Sequence, residues 1–219
     1  MTCLPTIVPP DLLHSDSQCH PNVPRLFGDV LDLEGGGDAV SPILVEGLTY
    51  CGKRVIGETC PQYLLLDDSV YDQPGFEGAA AVMSPPIRPR GHQEPLWAAL
   101  AAGTLQVVAT DHCPFNLSGQ KEMGKDDFRL IPNGAAGIQH RLSLLYTYGV
   151  LEGRLDLNQF VDLTSTRAAK IFGMYPQKGS ITVGADADLV VWDPGATGTI
   201  SAATHHHHCD RNIFDGFAT

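Results

Sequence analysis

Charge is scarce in this chain, and positive charge most of all. Charged residues make up 18% of its 219 residues, with a formal net charge of −11. Such a surface repels phosphate backbones and anionic headgroups, which argues against nucleic acid or an anionic membrane as partner. No apolar run approaches the roughly 20 residues of a bilayer span. The first residues lack the basic start and apolar core of a secretory signal. Cysteines at 3, 19, 51, 60, 113 and 209 form no CxxC pair. That scatter reads as free thiols in a cytoplasmic protein rather than a disulfide scaffold. No internal repeat stands out. What the chain does have is 43% hydrophobic residues, enough for a packed core.

Three units follow from the pattern along the chain. Residues 1–40 are interrupted by Pro5, Pro9, Pro10, Pro21 and Pro24 and closed by Gly35-Gly36-Gly37, so an irregular leader is expected. Residues 41–175 alternate between strand and helix signals. Ile43, Leu44, Gly47 and Leu48 predict a short helix stopping at Gly52, and residues 54–58 predict a strand. The small residues of 78–83 stop at Ser84-Pro85-Pro86. A helix is predicted over 94–102, closed by Gly103, and a buried parallel strand over 105–109. This order is that of a parallel α/β fold. The polar segment 116–129 reads as a mobile flap. A helix carrying Ile138, Leu142 and Leu145 follows Asn133-Gly134. A further helix spans 157–172, with Asp156 as N-cap and Gly173 as its stop. Residues 176–219 form the third unit, in which 179–184 and 187–193 read as two strands of a small β lobe.

Thr110-Asp111-His112-Cys113-Pro114-Phe115 is the most informative stretch. It follows the apolar strand directly, so Asp111 sits where a strand ends and its loop begins. In a β/α barrel that rim collects catalytic groups. An aspartate there can hold a metal through oxygen or move a proton; it can equally cap a helix or make a turn.

Six motifs then line up: Gly57-Glu58-Thr59-Cys60-Pro61-Gln62-Tyr63-Leu64, Ser84-Pro85-Pro86-Ile87-Arg88, Ala109-Thr110-Asp111-His112-Cys113-Pro114, Ile131-Pro132-Asn133-Gly134, Thr164-Ser165-Thr166 with Ala169-Lys170-Ile171-Phe172-Gly173, and Gly184-Ala185-Asp186-Ala187-Asp188-Leu189. Their succession, from about Arg54 to about Gly216, resembles the dihydropyrimidinase/hydantoinase family of cyclic amidohydrolases. The resemblance implies the C-terminal portion of a (β/α)8 TIM-type barrel plus a small β-sandwich segment. It also implies a two-zinc site whose bridging hydroxide opens cyclic ureides, such as dihydrouracil and hydantoins, to N-carbamoyl amino acids. Two metals lower the pKa of water and polarise the amide carbonyl, while a carboxylate carries the proton to the leaving nitrogen. Asp111 matches the family's aspartate, a metal ligand that also shuttles the proton. Ser84 and Asn133 match positions whose backbone groups hold the substrate ring; Ser-Pro and Asn-Gly also favour turns by themselves. His112 either steadies the rim by hydrogen bonding or adds a ligand. Glu58 and Arg88 can pair in a salt bridge at the same rim and carry no catalytic role in this reading. The resemblance further implies a small cyclic ureide as substrate and assembly into a homo-oligomer, a tetramer in the family.

The donor set departs from that pattern. The family places a His-x-His pair, a carboxylated lysine and two further histidines ahead of the Glu58 motif. Here only His14 and His20 precede it, and they are not spaced as His-x-His. A single carboxylate does not hold a zinc pair. The chain is therefore expected to be an incomplete hydrolase, with an inactive fragment or a dihydropyrimidinase-related assembly protein as the alternative and an allantoinase-like hydrolase as a further one. His205-His206-His207-His208 invites a reading as an expression tag or as a metal site. Eleven residues follow it, and with Thr204, Asp210, Asn212 and Gly216 it resembles the family's own tail, so it reads as native and outside catalysis.

Overall fold

The computed structural model describes residues 49–50, 53–54 and 56–219. The leader and the start of the helix expected from Ile43 lie outside these residues. Where that helix should end, β1 (Thr49–Tyr50) pairs antiparallel with β2 (Lys53–Arg54) instead. The strand expected over 54–58 is displaced toward its C-terminal end. β3 (Glu58–Thr59) pairs parallel with β4 (Val107–Val108), in register Glu58↔Val107 and Thr59↔Val108.

The crossover between β3 and β4 carries two helices. α1 (Pro61–Leu65) starts on a proline, whose missing N–H costs nothing in a first turn. α2 (Gln93–Ala101) buries Leu96, Trp97 and Leu100, and Gly103 ends it with φ +77. The Trp97 indole N–H donates to the Leu64 carbonyl at 3.1 Å, locking α2 to α1. Gln106 is a buried polar tie. Its side-chain carbonyl accepts from the Gly57 N–H at 2.7 Å, and its amide donates to the carbonyls of Gly103 and Thr104. Its polar atoms are thereby satisfied within the core.

Residues 138–171 are helical almost throughout. A 3-10 turn (Ile138–His140) leads into α3 (Arg141–Leu145) and a wide π turn (Tyr146–Leu151). α4 (Leu157–Val161) begins on a reciprocal Asp156–Gln159 capping box and runs through a second π turn (Asp162–Thr166) into α5 (Arg167–Ile171). Asp156 caps and Gly173, at φ +69, terminates, as the sequence predicts. Leu144, Leu145, Phe160 and Leu163 point into one core with Leu64, Leu105 and Val108. Ile200 and Phe214 of the tail enter the same core.

Two further expectations are corrected. The segment 116–129 is packed, not a free flap. Leu117 and Ile131 cluster with Ala79, and Lys121 is only 1% exposed, its Nζ donating to the Val82 carbonyl at 2.7 Å. The two strands expected in 179–193 form no ladder with any described residue. The chain there makes a turn at 182–185 and otherwise lacks regular structure, with Val183 at 108% and Val191 at 98% exposure. A strand needs an edge to pair with, and none is offered among the described residues. Only Thr199↔Ala218 makes an antiparallel bridge in this unit. Trp192 packs on Tyr146 and Phe160, with ring centroids 5.1 and 5.9 Å apart. No helix among the described residues is long and apolar enough to cross a membrane.

Candidate active site

β4 delivers Asp111 to the loop cluster at its C-terminal end. The strand end is fixed from three sides. The Ala109 N–H donates to the Thr59 carbonyl at 2.8 Å, Arg141 Nη1 to the Val108 carbonyl at 2.8 Å, and Gln62 Nε2 to the Thr110 carbonyl at 3.2 Å. Asp111 itself has φ +48, the only non-glycine residue with positive φ among those described, and it is exposed. Aspartate tolerates this left-handed conformation better than most residues, but a backbone held there is held by its surroundings.

The three site residues read from the sequence lie on segments sewn together by backbone hydrogen bonds. The Gly134 N–H donates to the Val82 carbonyl at 3.0 Å, which joins the Asn133 turn to the strand of chain entering Ser84. The Cys113 N–H donates to the Ala135 carbonyl at 3.1 Å, and His112 and Ala135 form a parallel bridge, so the same turn is joined to the Asp111 loop. Gly134 is obligatory at this junction. Its φ is +140, and an added Cβ would lie 2.5 Å from the Cys113 carbonyl oxygen and 2.6 Å from its Cβ. Tyr63 OH donates to the Pro85 carbonyl at 3.0 Å, tying the Glu58 motif to the Ser84 motif. Ser84, Asp111 and Asn133 are all exposed.

Charge at this rim is mutual. The thiol of Cys60 is buried beside the Asp111 carboxylate. Burial, with the carboxylates of Asp111 and Glu58 beside it, pushes that thiol far above its ordinary range. Burial first, and then Asp111, also raises Glu58. Glu58 is thus a second carboxylate beside Asp111, a closeness that its place in the rim motif does not announce. The signal that reveals it is the β3–β4 register, a pairing across 49 residues that no local pattern carries. His112 is placed as a hydrogen-bonding rim residue, its Nδ1 accepting from the N–H of Gly137 at 3.1 Å and of Ile138 at 3.3 Å.

A dinuclear metal centre asks for several imidazole or carboxylate donors per ion. Among the described residues no three His, Cys, Asp or Glu side chains are grouped so as to hold a metal. Asp111 with Glu58 therefore does not by itself fit a metal pair.

The model of the amidohydrolase family matches residues 77–217. The chain belongs to the amidohydrolase family. Among curated amidohydrolase relatives, a D-hydantoinase of Geobacillus stearothermophilus is 56% identical over 165 residues, covering 75% of this chain and 35% of the relative. A dihydropyrimidinase of Arabidopsis thaliana is 46% identical over 166 residues, covering 75% of this chain and 31% of the relative. The solved dihydropyrimidinase from Brevibacillus agri NCHU1002 superposes with a TM-score of 0.73 at 55% identity, covering 74% of this chain and 35% of that one. The chain thus spans about a third of the length of the relatives it matches. The likeness implies a TIM-barrel-type fold, of which the described residues make up a part.

Proposed function

We propose that this chain belongs to a hydrolase that opens the ring amide of cyclic ureides, such as hydantoins or dihydrouracil, to N-carbamoyl amino acids. The observation that carries the reading is Asp111, exposed at the end of β4 with a left-handed backbone. Backbone strain of this kind collects at working sites. In this reading backbone groups at Ser84 and Asn133 hold the ring's amide and imide edges. Asp111 takes a proton from the attacking water and returns it to the ring nitrogen as the carbon–nitrogen bond breaks. Glu58 stands beside it as a second carboxylate, raised above its ordinary range by burial first and then by the charge of Asp111. A metal-bound hydroxide, the nucleophile that the resemblance implies, would require ligands beyond Asp111, so no step is assigned to it.

A second reading, a non-catalytic assembly member of the same family, is favoured by the short donor set. Exposed apolar side chains such as Leu157, Val161 and Phe172 suit homo-oligomeric assembly, which belongs to either reading. Turnover of hydantoin and dihydrouracil by the purified chain, with zinc, cobalt or manganese added, separates the two. Metal-dependent turnover that Asp111→Asn abolishes supports the hydrolase. No turnover with any of the metals assigns this polypeptide to the second reading.

A further inference from the structure

A cation is buried where the segments of the candidate site meet. Lys121 is 1% exposed, and its Nζ donates to the Val82 carbonyl at 2.7 Å. That carbonyl also accepts from the Gly134 N–H at 3.0 Å. Its two lone pairs are thus divided between the turn that carries Asn133 and a side chain from the loop beneath. Val82 lies two residues before Ser84, and Gly134 directly follows Asn133. Cys113 borders the same point. Its charge acts on Lys121, and a Cβ added at Gly134 would lie 3.0 Å from its Sγ. The short turn that supplies the lysine (Lys121–Gly124) is wedged between the Ser84 and Asn133 segments. At its far end Gly124 abuts Ile131, where an added Cβ would collide with Cγ1 and lie 2.7 Å from the backbone nitrogen. Ile131 leads through Pro132 into Asn133. The turn therefore reaches one segment through its ammonium and the other through a glycine.

Hydrogen-bond accounting does not explain the lysine. The Val82 carbonyl would be satisfied by the Gly134 N–H alone, and taking an ammonium out of water is costly. Burial lowers Lys121 to about 8, so the side chain stays mostly charged at pH 7. Its bond to Val82 is therefore charge-assisted, and stronger than one between neutral groups. We infer that Lys121 is a positioning residue for substrate: by sharing the Val82 carbonyl with Gly134, it fixes the spacing between the Ser84 and Asn133 backbone groups. A ring gripped at its amide edge by one segment and at its imide edge by the other is sensitive to that spacing. A misplacement of about 1 Å can cost on the order of 100-fold. Lys121 touches no substrate atom in this arrangement; it acts through Val82 and Gly134. The inference rests on the cyclic-ureide reading given above and names a residue that reading leaves out.

The test is dihydrouracil binding to the intact chain, measured by titration calorimetry at pH 7 for the parent, Lys121→Met and Asp156→Ala. Lys121→Met removes the ammonium, keeps most of the side-chain volume and leaves the Val82 carbonyl its bond from Gly134. Asp156→Ala removes the α4 cap and serves as the control for stability alone. The expected result is a dissociation constant raised about 10-fold to 100-fold in Lys121→Met and unchanged in Asp156→Ala. Turnover with zinc added is expected to show the same loss in KM with kcat unaltered, the mark of lost ground-state binding. Should Lys121→Met fail to fold, Lys121→Gln, which removes the charge but keeps a polar side chain, is read in its place. Unchanged binding by the lysine variant beside a binding parent overturns the inference and leaves the cyclic-ureide reading standing. An equal loss in Asp156→Ala also overturns it, since the effect would then be one of stability. So does a fall in kcat at unchanged KM. A parent that does not bind dihydrouracil overturns the cyclic-ureide reading itself, and this inference with it.

Discussion

The carboxylate of Asp210 accepts hydrogen bonds from the N–H groups of Leu117 and Ser118, at 2.7 and 2.9 Å, across 93 residues of chain. The tie is reciprocal, since the Asp210 N–H donates to Asn116 Oδ1 at 3.1 Å. This clamp holds the loop beneath the site against the tail. Asp210→Ala is expected to lower stability by about 2 kcal/mol, the usual worth of hydrogen bonds to a charged group. The neighbouring Arg211–Glu77 pair is exposed, and Arg211→Ala should cost less than about 1 kcal/mol. Urea unfolding of the two variants checks the contrast; equal losses would refute it.

Gly134 tests whether the site segments must meet as closely as they do. A methyl group there collides with Cys113 and imposes a side chain on φ +140. Gly134→Ala should destabilise the chain by about 2 kcal/mol or more, whereas Gly153→Ala, where nothing lies within 4 Å, should cost only the backbone strain of about 1 kcal/mol. Thermal unfolding of both variants measures the difference.

The Asp111 backbone separates stability from activity. Asp111→Gly removes the left-handed penalty, offset by the entropy of glycine, so stability should stay within about 1 kcal/mol of the parent. Asp111→Val, branched at Cβ, should be about 1–2 kcal/mol less stable than Asp111→Gly. Calorimetry of the pair checks the order. The reverse order would show that the conformation is not under strain.

Lys121 makes stability rise on the alkaline side. Burial lowers its pKa from 10.5 to about 8, so the unfolded chain binds the proton more tightly than the folded one. Below about pH 8 the fold carries the full penalty. Between about 8 and 10.5 the penalty fades as the unfolded ammonium also loses its proton, a gain of at most about 3 kcal/mol. Lys121→Met should flatten that slope in unfolding midpoints measured from pH 7.5 to 10. An unchanged slope would exclude the buried ammonium as its source.

Local signals in the sequence located what is local in the structure. Asp156, Gly173 and Gly103 mark helix ends because capping and positive φ are properties of single residues. Asp111 stood out because an apolar strand ran straight into it. The role of Gln106 and the closeness of Glu58 to Asp111 are illegible in the sequence, since both arise from a strand pairing that brings distant segments together. The two strands expected in 179–193 are missing for a related reason. Residues 179–193 have the alternation of strands, but a ladder needs a partner edge, and that lies outside any local window. Lys121 looked like part of a solvated flap because charge is normally on the surface, and only the Val82 carbonyl makes its burial tolerable.

The two tryptophans divide the molecule optically. Trp97 is sealed between α1 and α2, while Trp192 leans on Tyr146 and Phe160 from the C-terminal unit. Replacing either with phenylalanine leaves a single emitter, so fluorescence can follow detachment of the tail separately from melting of the interior.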